Sequence, residues 1–281
     1  EIPKVLDMFG GGGTIPFEAK RLGLDSYSID SNQLSVFIQK CNMVYADSID
    51  LGQAQKEIER IGIEILSNLK ARTDWLYPLR KETNEEVFGY VWTYRITCPH
   101  CGYRSILSKR PWLSKKKNRR VGFVSEINEI DGSETLRAKD LTEAEEPFSP
   151  HWERYAGILH CPKCGKLIEK VNVLDCEDVM VALIKNRACA GKDFVNIEEN
   201  AAIPNEKKIK EEENRVLEKL NISLPTSELP VWSGIVNPAL YGIKTHADFL
   251  NKRQRLVLLY LIDELATHYA DMVKQDGNMA K

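Results

Sequence analysis

The sequence predicts an α/β fold in which a partial, parallel-stranded core is interrupted by a β-rich insertion. Three patterns carry that prediction. An apolar run from Lys4 to Phe9 ends in four glycines, Gly10 to Gly13, and leads through a helical stretch into a second apolar run. Two Cys-x-x-Cys-Gly motifs stand well apart in the middle of the chain, each after a β-like stretch. Amphipathic helical spacing appears on either side of them.

Taken in order, Lys4 to Phe9 and Leu24 to Ile29 are strands, and Thr14 to Leu22 is the helix between them, with Ile15, Ala19 and Leu22 at helical spacing. Ser31 to Val44 follows as a helix, with Val36, Ile38 and Met43 among its apolar positions and Ser31 as its cap. Leu51, Ala54, Ile58, Ile61, Ile65 and Leu69 repeat at intervals of three and four, the pattern of one long amphipathic helix. After Pro78 the texture changes to short β-like stretches at Val87 to Thr97, Val121 to Ile127 and Tyr155 to His160, separated by charge. Val179 to Ile184 and Asp193 to Ile197 flank a Gly-containing turn and read as a hairpin, although the first also fits a buried helix. Lys207 to Leu220 reads as a charge-rich, solvated surface helix with Ile209, Val216 and Leu220 on one face. Asn251 and Gln254 make a capping-box start for a last helix, whose Leu256 to Leu261 run is apolar nearly all round and is expected to be buried. This places a core segment at 1–86, a metal-binding insertion at 87–168 and an α/β region returning to the core at 169–281.

At 281 residues and 43% hydrophobic, the chain is globular and large enough for one domain with an insertion. It has no run of eighteen apolar residues and no signal-like start, which suggests a cytoplasmic setting. A core-like strand at Pro3 to Met8 and a final helix with no closing element lead us to expect further sequence at both ends. Lys and Arg total 39 against 41 Asp and Glu, a net charge of -2, so any nucleic-acid contact must come from local charge. Seven cysteines are too few for a disulfide scaffold. Four of them fall in the two Cys-x-x-Cys pairs, which in a reducing compartment points to metal.

The glycine loop follows a strand that ends in an acidic residue, Asp7, with Gly11 and Gly13 after it. Glycine is needed where a ligand lies against the backbone, because a Cβ would block the approach. Asp30 ends the next strand, placed to accept hydrogen bonds from ribose hydroxyls in a crevice at the strand ends. A Walker loop requires Gly-Lys-Ser/Thr, whereas Thr14 and Ile15 follow Gly13. A dinucleotide fingerprint wants a small residue where Pro16 stands. A nucleoside without a pyrophosphate remains, and S-adenosylmethionine fits best. The competing reading is a glycine-rich turn that binds nothing.

These residues resemble a known family. Asp7-x-Phe9-x-Gly-Gly-Gly-Thr14, then Glu18-Ala19, Arg21-Leu22-Gly23 and Asp30-x-Asn32, is similar to the first motifs of amino-methyltransferases acting on DNA. More specifically, the chain resembles the adenine-specific DNA methylases that contain a zinc ribbon, grouped under the domain of unknown function 1156. Tyr241-Gly242 and Asp248 through Arg253-Gln254 extend the likeness over nearly the whole chain. The resemblance implies a Rossmann-like core with Asp7, Phe9, Gly10, Gly11, Gly13, Asp30 and Asn32 around S-adenosylmethionine. Met8 and Gln33 stand where that family commonly has proline. The family's catalytic loop, Asp/Asn-Pro-Pro-Tyr/Phe, holds the amino group of a flipped base. Here Asn237-Pro238-Ala239-Leu240-Tyr241 lacks the second proline and spaces the aromatic differently, so it reads as a turn, and no catalytic residue is assigned. The family's order puts that loop beyond Lys281, so we expect no turnover from this chain alone.

Cys98-Pro-His-Cys101-Gly and Cys161-Pro-Lys-Cys164-Gly are two copies of one knuckle. Two residues between thiolates let both sulfurs reach one tetrahedral ion at about 2.3 Å, and the trailing glycine permits the tight turn. Four thiolates leave no open position, so the predicted zinc is structural. His100 and His160 are spare candidates that read as exposed histidines, and Cys41, Cys176 and Cys189 as apolar fillers. Between the knuckles, Lys109, Arg110, Trp112, Lys115, Lys116, Lys117, Arg119 and Arg120 concentrate positive charge around one aromatic. Such a patch suits DNA phosphates, with Trp112 either stacking on a base or packing beneath the lysine stems. It equally fits a solvated hairpin tip balanced by the acidic stretch Asp140 to Glu146. Two other functions stay open: a zinc-ribbon nucleic-acid-binding module on a degenerate scaffold, and an RNA methyltransferase.

Overall fold

The computed structural model describes residues 1–48, 50–77, 87–151, 159–169, 171–187, 191–197, 204–230 and 238–275. It is a mixed α/β structure that divides into two compact units, Glu1–Arg72 with Tyr260–Lys281, and Thr73–Leu259.

In the first unit, β1 (Lys4–Asp7) and β2 (Asp25–Ser28) pair in parallel with Lys4 opposite Asp25, joined by α1 (Thr14–Arg21). This is the strand, turn, helix, strand unit expected from the sequence. Gly23 closes α1 at φ 78°: its amide donates to the Lys20 carbonyl and that of Leu24 to the Ala19 carbonyl, the two bonds of a Schellman turn. Of the apolar positions on α1, Ala19 is buried, whereas Ile15 and Leu22 are exposed. Next comes α2 (Gln33–Lys40), which passes into a π-helical turn at Cys41–Tyr45. Its cap is Asn32 and not Ser31, because the Asn32 carboxamide oxygen accepts from the Leu34 amide at 2.9 Å. The single amphipathic helix expected after Leu51 is α3 (Leu51–Thr73), started by Asp50 Oδ1 on the amides of Gly52 and Gln53. Near its end, Arg72 bonds Asp263 at 2.8 Å and Glu264 at 2.6 Å, and stacks 4.1 Å over the Tyr260 ring.

The second unit is β-rich. An antiparallel sheet in the order β11-β10-β3-β4 is built from β3 (Val87–Thr97), β4 (Arg104–Leu107), β10 (Glu177–Arg187) and β11 (Gly191–Asn196). A three-stranded sheet contains β5 (Trp112–Lys116), β6 (Arg119–Ile127) and β7 (Glu134–Asp140). Ile106, Phe123, Leu136, Phe148, Val179, Val181 and Ala182 form one core of this unit. The hairpin reading of the 179–197 segment holds, since β10 and β11 pair antiparallel. β10 also pairs with β3 along most of its length, which brings this segment into the sheet that carries the first knuckle. A short ribbon, β8 (Leu159–His160) with β9 (Leu167–Ile168), carries the second knuckle, and most of the β-like stretch expected at Tyr155 to His160 lies outside the described residues.

Two helical expectations need correction. The 207–220 helix, α4 (Glu206–Leu220), is not solvated all round: Ile209, Val216 and even Glu213 are buried, because Arg255 reaches Glu213 with two hydrogen bonds. The last helix, α5 (Lys252–Gln275), begins with the expected capping box, Gln254 amide to Asn251 Oδ1 and Asn251 amide to Gln254 Oε1. Its apolar run is only half buried, with Leu256, Leu259 and Tyr260 inside and Leu258 and Ile262 exposed.

Candidate metal centre and glycine loop

The two knuckles have the same backbone. In the first, Gly102 sits at φ 72°, its amide bonds the Cys98 carbonyl and the Cys98 amide bonds the Tyr103 carbonyl. In the second, Gly165 at φ 69°, Cys161 and Lys166 repeat that pattern bond for bond. Side chains would be strained at both glycines, which explains the Gly after each pair. The fold then brings the four sulfurs of Cys98, Cys101, Cys161 and Cys164 within 4.8 Å of one another, with Cys101 to Cys161 at 3.6 Å and Cys98 to Cys164 at 3.9 Å. Four thiolates at metal distance from one tetrahedral ion stand about 3.8 Å apart, so the cluster could hold a metal such as zinc.

The thiols also conflict with one another as acids. Burial opposes ionisation of Cys98, but the amides of His100 and Cys101 and the neighbouring thiols outweigh it and bring the group down to about 6. For Cys101 the Tyr103 amide favours the thiolate, yet desolvation and the other three sulfurs leave it at about 12. A divalent cation removes this conflict, because it is attracted to every thiolate at once. Cys98, Cys161, Leu107, Leu159, Ile168 and Val171 form the small core under the site. His100 is exposed, its Nε2 3.1 Å from the Leu167 carbonyl across the two knuckles, and His160 is exposed as well; neither belongs to the sulfur cluster. Cys176 packs on the same core, its thiol pushed up to about 11 by burial and then by Asp175 and Asp178. Cys41 is half-buried, and Cys189 lies outside the described residues.

The glycine loop continues the parallel ladder beyond the strands, through the Ile29 amide to the Asp7 carbonyl and the Gly10 amide to the Ile29 carbonyl. A tight turn, Gly13 amide to Gly10 carbonyl at 2.7 Å, then feeds α1. Each glycine has a separate reason. A Cβ on Gly10 would lie 2.0 Å from Ser28 Oγ, and one on Gly13 would lie 2.7 Å from Gln39 Cγ. Gly11, at φ 50°, and Gly12 face open space, the bare backbone that a ligand could approach. Asp7 Oδ1 accepts from the Phe9 amide, and the Phe9 ring is 86% exposed. Asp30 Oδ2 accepts from the Gly11 amide at 2.8 Å and Oδ1 from the Asn32 amide at 2.7 Å. Each oxygen keeps a lone pair, so this carboxylate shapes the loop and still has acceptor capacity for a hydroxyl. Asn32 caps α2 and its side chain is engaged there.

Sequence reasoning missed Gln39, buried beneath the loop with its Nε2 donating to the Gly11 carbonyl at 2.9 Å. A signal was available: Gln39 sits three residues after Val36 and four before Met43, on the helix stripe expected to be apolar.

The structure divides the basic cluster. Arg119 pairs with Asp193 and Asp140, and Arg120 reaches the carbonyls of Glu143 and Glu145 and the Glu146 carboxylate. These two arginines therefore behave as the charge-balanced hairpin reading expected. Lys115 and Arg120 both stand 5.0 Å from the Trp112 ring centroid. Lys109 donates to the Tyr241 hydroxyl at 2.9 Å, while Arg110, Lys116 and Lys117 are exposed. Lys109, Arg110 and Lys192 line a cleft of about 490 Å³ whose other walls include Val91, Leu113 and Ile184. Pro238–Tyr241 is a 3-10 turn, as its sequence suggested, and Asn237 lies outside the described residues.

Comparison with known proteins returns no matching family model, no matching curated protein and no matching solved structure.

Proposed function

We propose that the glycine loop binds S-adenosylmethionine, that a structural zinc ion joins the two knuckles, and that the protein belongs to a methyltransferase acting on the exocyclic amino group of a DNA base, adenine first. The observation that carries the reading is the loop at the ends of two parallel strands: nothing stands within 4 Å of where a Cβ would sit on Gly11 or Gly12, and Asp7 and Asp30 flank them. Parallel strands place their ligand crevice at this end. In this reading β1, β2 and α1 are the start of a Rossmann-like core, and the cytoplasm supplies the reducing conditions that keep four thiols available for zinc.

Bound there, S-adenosylmethionine supplies an electrophilic methyl group. The residues of this chain do the holding: Asp30 offers its remaining lone pairs to the ribose hydroxyls, and the loop backbone lets the adenosine and methionine parts lie close. No residue here is given the role of holding the acceptor amine, because the Asp/Asn-Pro-Pro-Tyr/Phe loop that would do so is not in the sequence. DNA is the proposed partner of Lys109, Arg110, Lys115, Lys116 and Lys117, the exposed cations of the cluster. The two knuckles and the basic residues between them carry one second reading, a zinc-ribbon nucleic-acid-binding module on a scaffold that keeps the cofactor fold without its chemistry. An RNA substrate would use the same cofactor site.

Calorimetric titration of the zinc-loaded protein with S-adenosylmethionine tests the reading, beside Asp30→Ala and Gly11→Val. Binding by the wild type that both variants lose is the expected result. A folded wild type that takes up no cofactor overturns the methyltransferase reading and leaves the nucleic-acid module.

A further inference from the structure

Both backbone groups of Gly11 are held by side chains, and the two side chains come from different elements. The amide donates to Asp30 just after β2, and the carbonyl accepts from Gln39 in α2. Gly11 lies at φ 50°, where it gains nothing from the helix or strand wells and must be fixed by its partners. Gln39 does more than donate. Its Cβ and Cγ fill the space beside Gly13, and its amide end fills the space beside Gly10, so one side chain sets the floor under three positions of the loop.

The placement runs against the usual sorting of residues. In α2 the apolar Leu34, Phe37 and Ile38 are exposed while Gln39 is 6% exposed. Burying a carboxamide is unfavourable unless its groups are bonded, and the Gly11 carbonyl is the partner seen here. Local rules broken in this way tend to mark functional positions.

We propose that Gln39 is the positioning residue of the glycine loop: with Asp30 it clamps Gly11 and keeps the open side of Gly11 and Gly12 turned toward the ligand. Gln39 touches no ligand itself. The inference takes the ligand's identity from the cofactor reading, whereas the clamp itself concerns the shape of the loop with or without ligand.

The test compares wild type with Gln39→Met, which keeps the length but has no donor, and Gln39→Glu, which keeps the shape but turns an acceptor toward the Gly11 carbonyl. Two quantities are read: hydrogen exchange of the amides from Gly11 to Thr14 without ligand, and calorimetric affinity for S-adenosylmethionine. Zinc content and the melting transition serve as controls for folding. Exchange in the loop is expected to accelerate about tenfold in Gln39→Met, the effect of one buried hydrogen bond lost. Affinity should fall in the order Gln, Met, Glu. A role limited to packing would make Met and Glu alike. Unchanged loop exchange in both variants overturns the proposal, as does wild-type affinity in Gln39→Met. If wild type binds no cofactor but loop exchange still accelerates in the variants, the clamp stands and the cofactor reading alone fails.

Discussion

Glu134 shows how a single residue can organise a region without any sign in the sequence. Its carboxylate is 2% exposed, and its oxygens accept from Ser125 Oγ at 2.6 Å, His151 Nε2 at 2.8 Å and the Ile106 amide at 2.9 Å. Burial alone would push the carboxyl up, but the bonds from His151, Ser125 and Ile106 together hold it below the usual range. A lowered value in the fold means that the stabilisation is complete above the ordinary carboxylate range, about 4.3, and is lost as pH falls through the lower folded value. Glu134→Gln should therefore cost about 2 kcal/mol at neutral pH in urea unfolding, a difference that narrows in acid. An equal cost at pH 7 and pH 3 would show that shape and not charge matters there. The four cysteines, in contrast, were legible from spacing alone, because the geometry of one ion dictates the distance between ligands in the chain. Glu134 was not, since the worth of a buried polar group depends on partners far away in sequence, and for Gln39 the sequence showed only its place on an apolar stripe and not its partner, the Gly11 carbonyl. The charge of Arg119 and Arg120 was legible as charge, but its neutralisation by Asp193 and Glu146 was decided by the fold.

At the scale of elements, local pattern identified helices α1 to α5 and the strands β1, β2, β3 and β6, missed β4, β5, β7 and β9, and identified partners poorly. The parallel unit of β1, α1 and β2 could be read because its strands are joined by one short crossover. The pairing of β10 with β3 could not, because the two strands are far apart in sequence and β10 carries irregularities between Met180 and Ala182 and between Ile184 and Lys185. These slips of register erase the clean alternation that identifies a strand from its side chains. The solvated reading of α4 failed for a related reason: Glu213 looks like one more surface acid until Arg255 is placed beside it. The Arg255 guanidinium grips Glu213 with bonds of 2.7 and 3.1 Å and also bonds the Ala247 carbonyl. Both side chains are largely buried. Removing one partner of such a pair strands a buried charge and costs about 3 to 5 kcal/mol. Arg255→Met is accordingly expected to destabilise strongly in denaturant unfolding, and Arg255→Met with Glu213→Leu to recover most of the loss. A double variant as unstable as the single would mean that the pair is not what joins α4 to α5.

For the molecule as a whole, the question is which parts can form a core from their own residues. The sandwiched core with Ile106, Phe123, Leu136 and Val181 is apolar, whereas two of the six buried residues under the knuckles are the cysteines Cys98 and Cys161 themselves. With zinc bound as proposed, a cluster that counts its metal ligands among its core residues is not expected to survive removal of the ion, since four thiols left together must share protons instead of a cation. Structural zinc contributes about 10 to 16 kcal/mol of apparent free energy to small zinc modules at neutral pH, more than so small an apolar cluster replaces. All five tryptophans fall within the range Thr73–Leu259, so fluorescence excited selectively at tryptophan reports on that range. Chelation should release a single zinc ion per chain, and the fluorescence transition in denaturant should move to lower concentration or split, with the 98–101 and 161–164 segments gaining hydrogen exchange first. Cys101→Ser should reproduce the shift without chelator, because Cys101 is an exposed ligand whose loss removes little packing. If the chelated protein unfolds with the same midpoint and the knuckle amides stay protected, the bonds repeated around Gly102 and Gly165 suffice to hold the site, and the metal is a ligand of a finished fold and not part of its core.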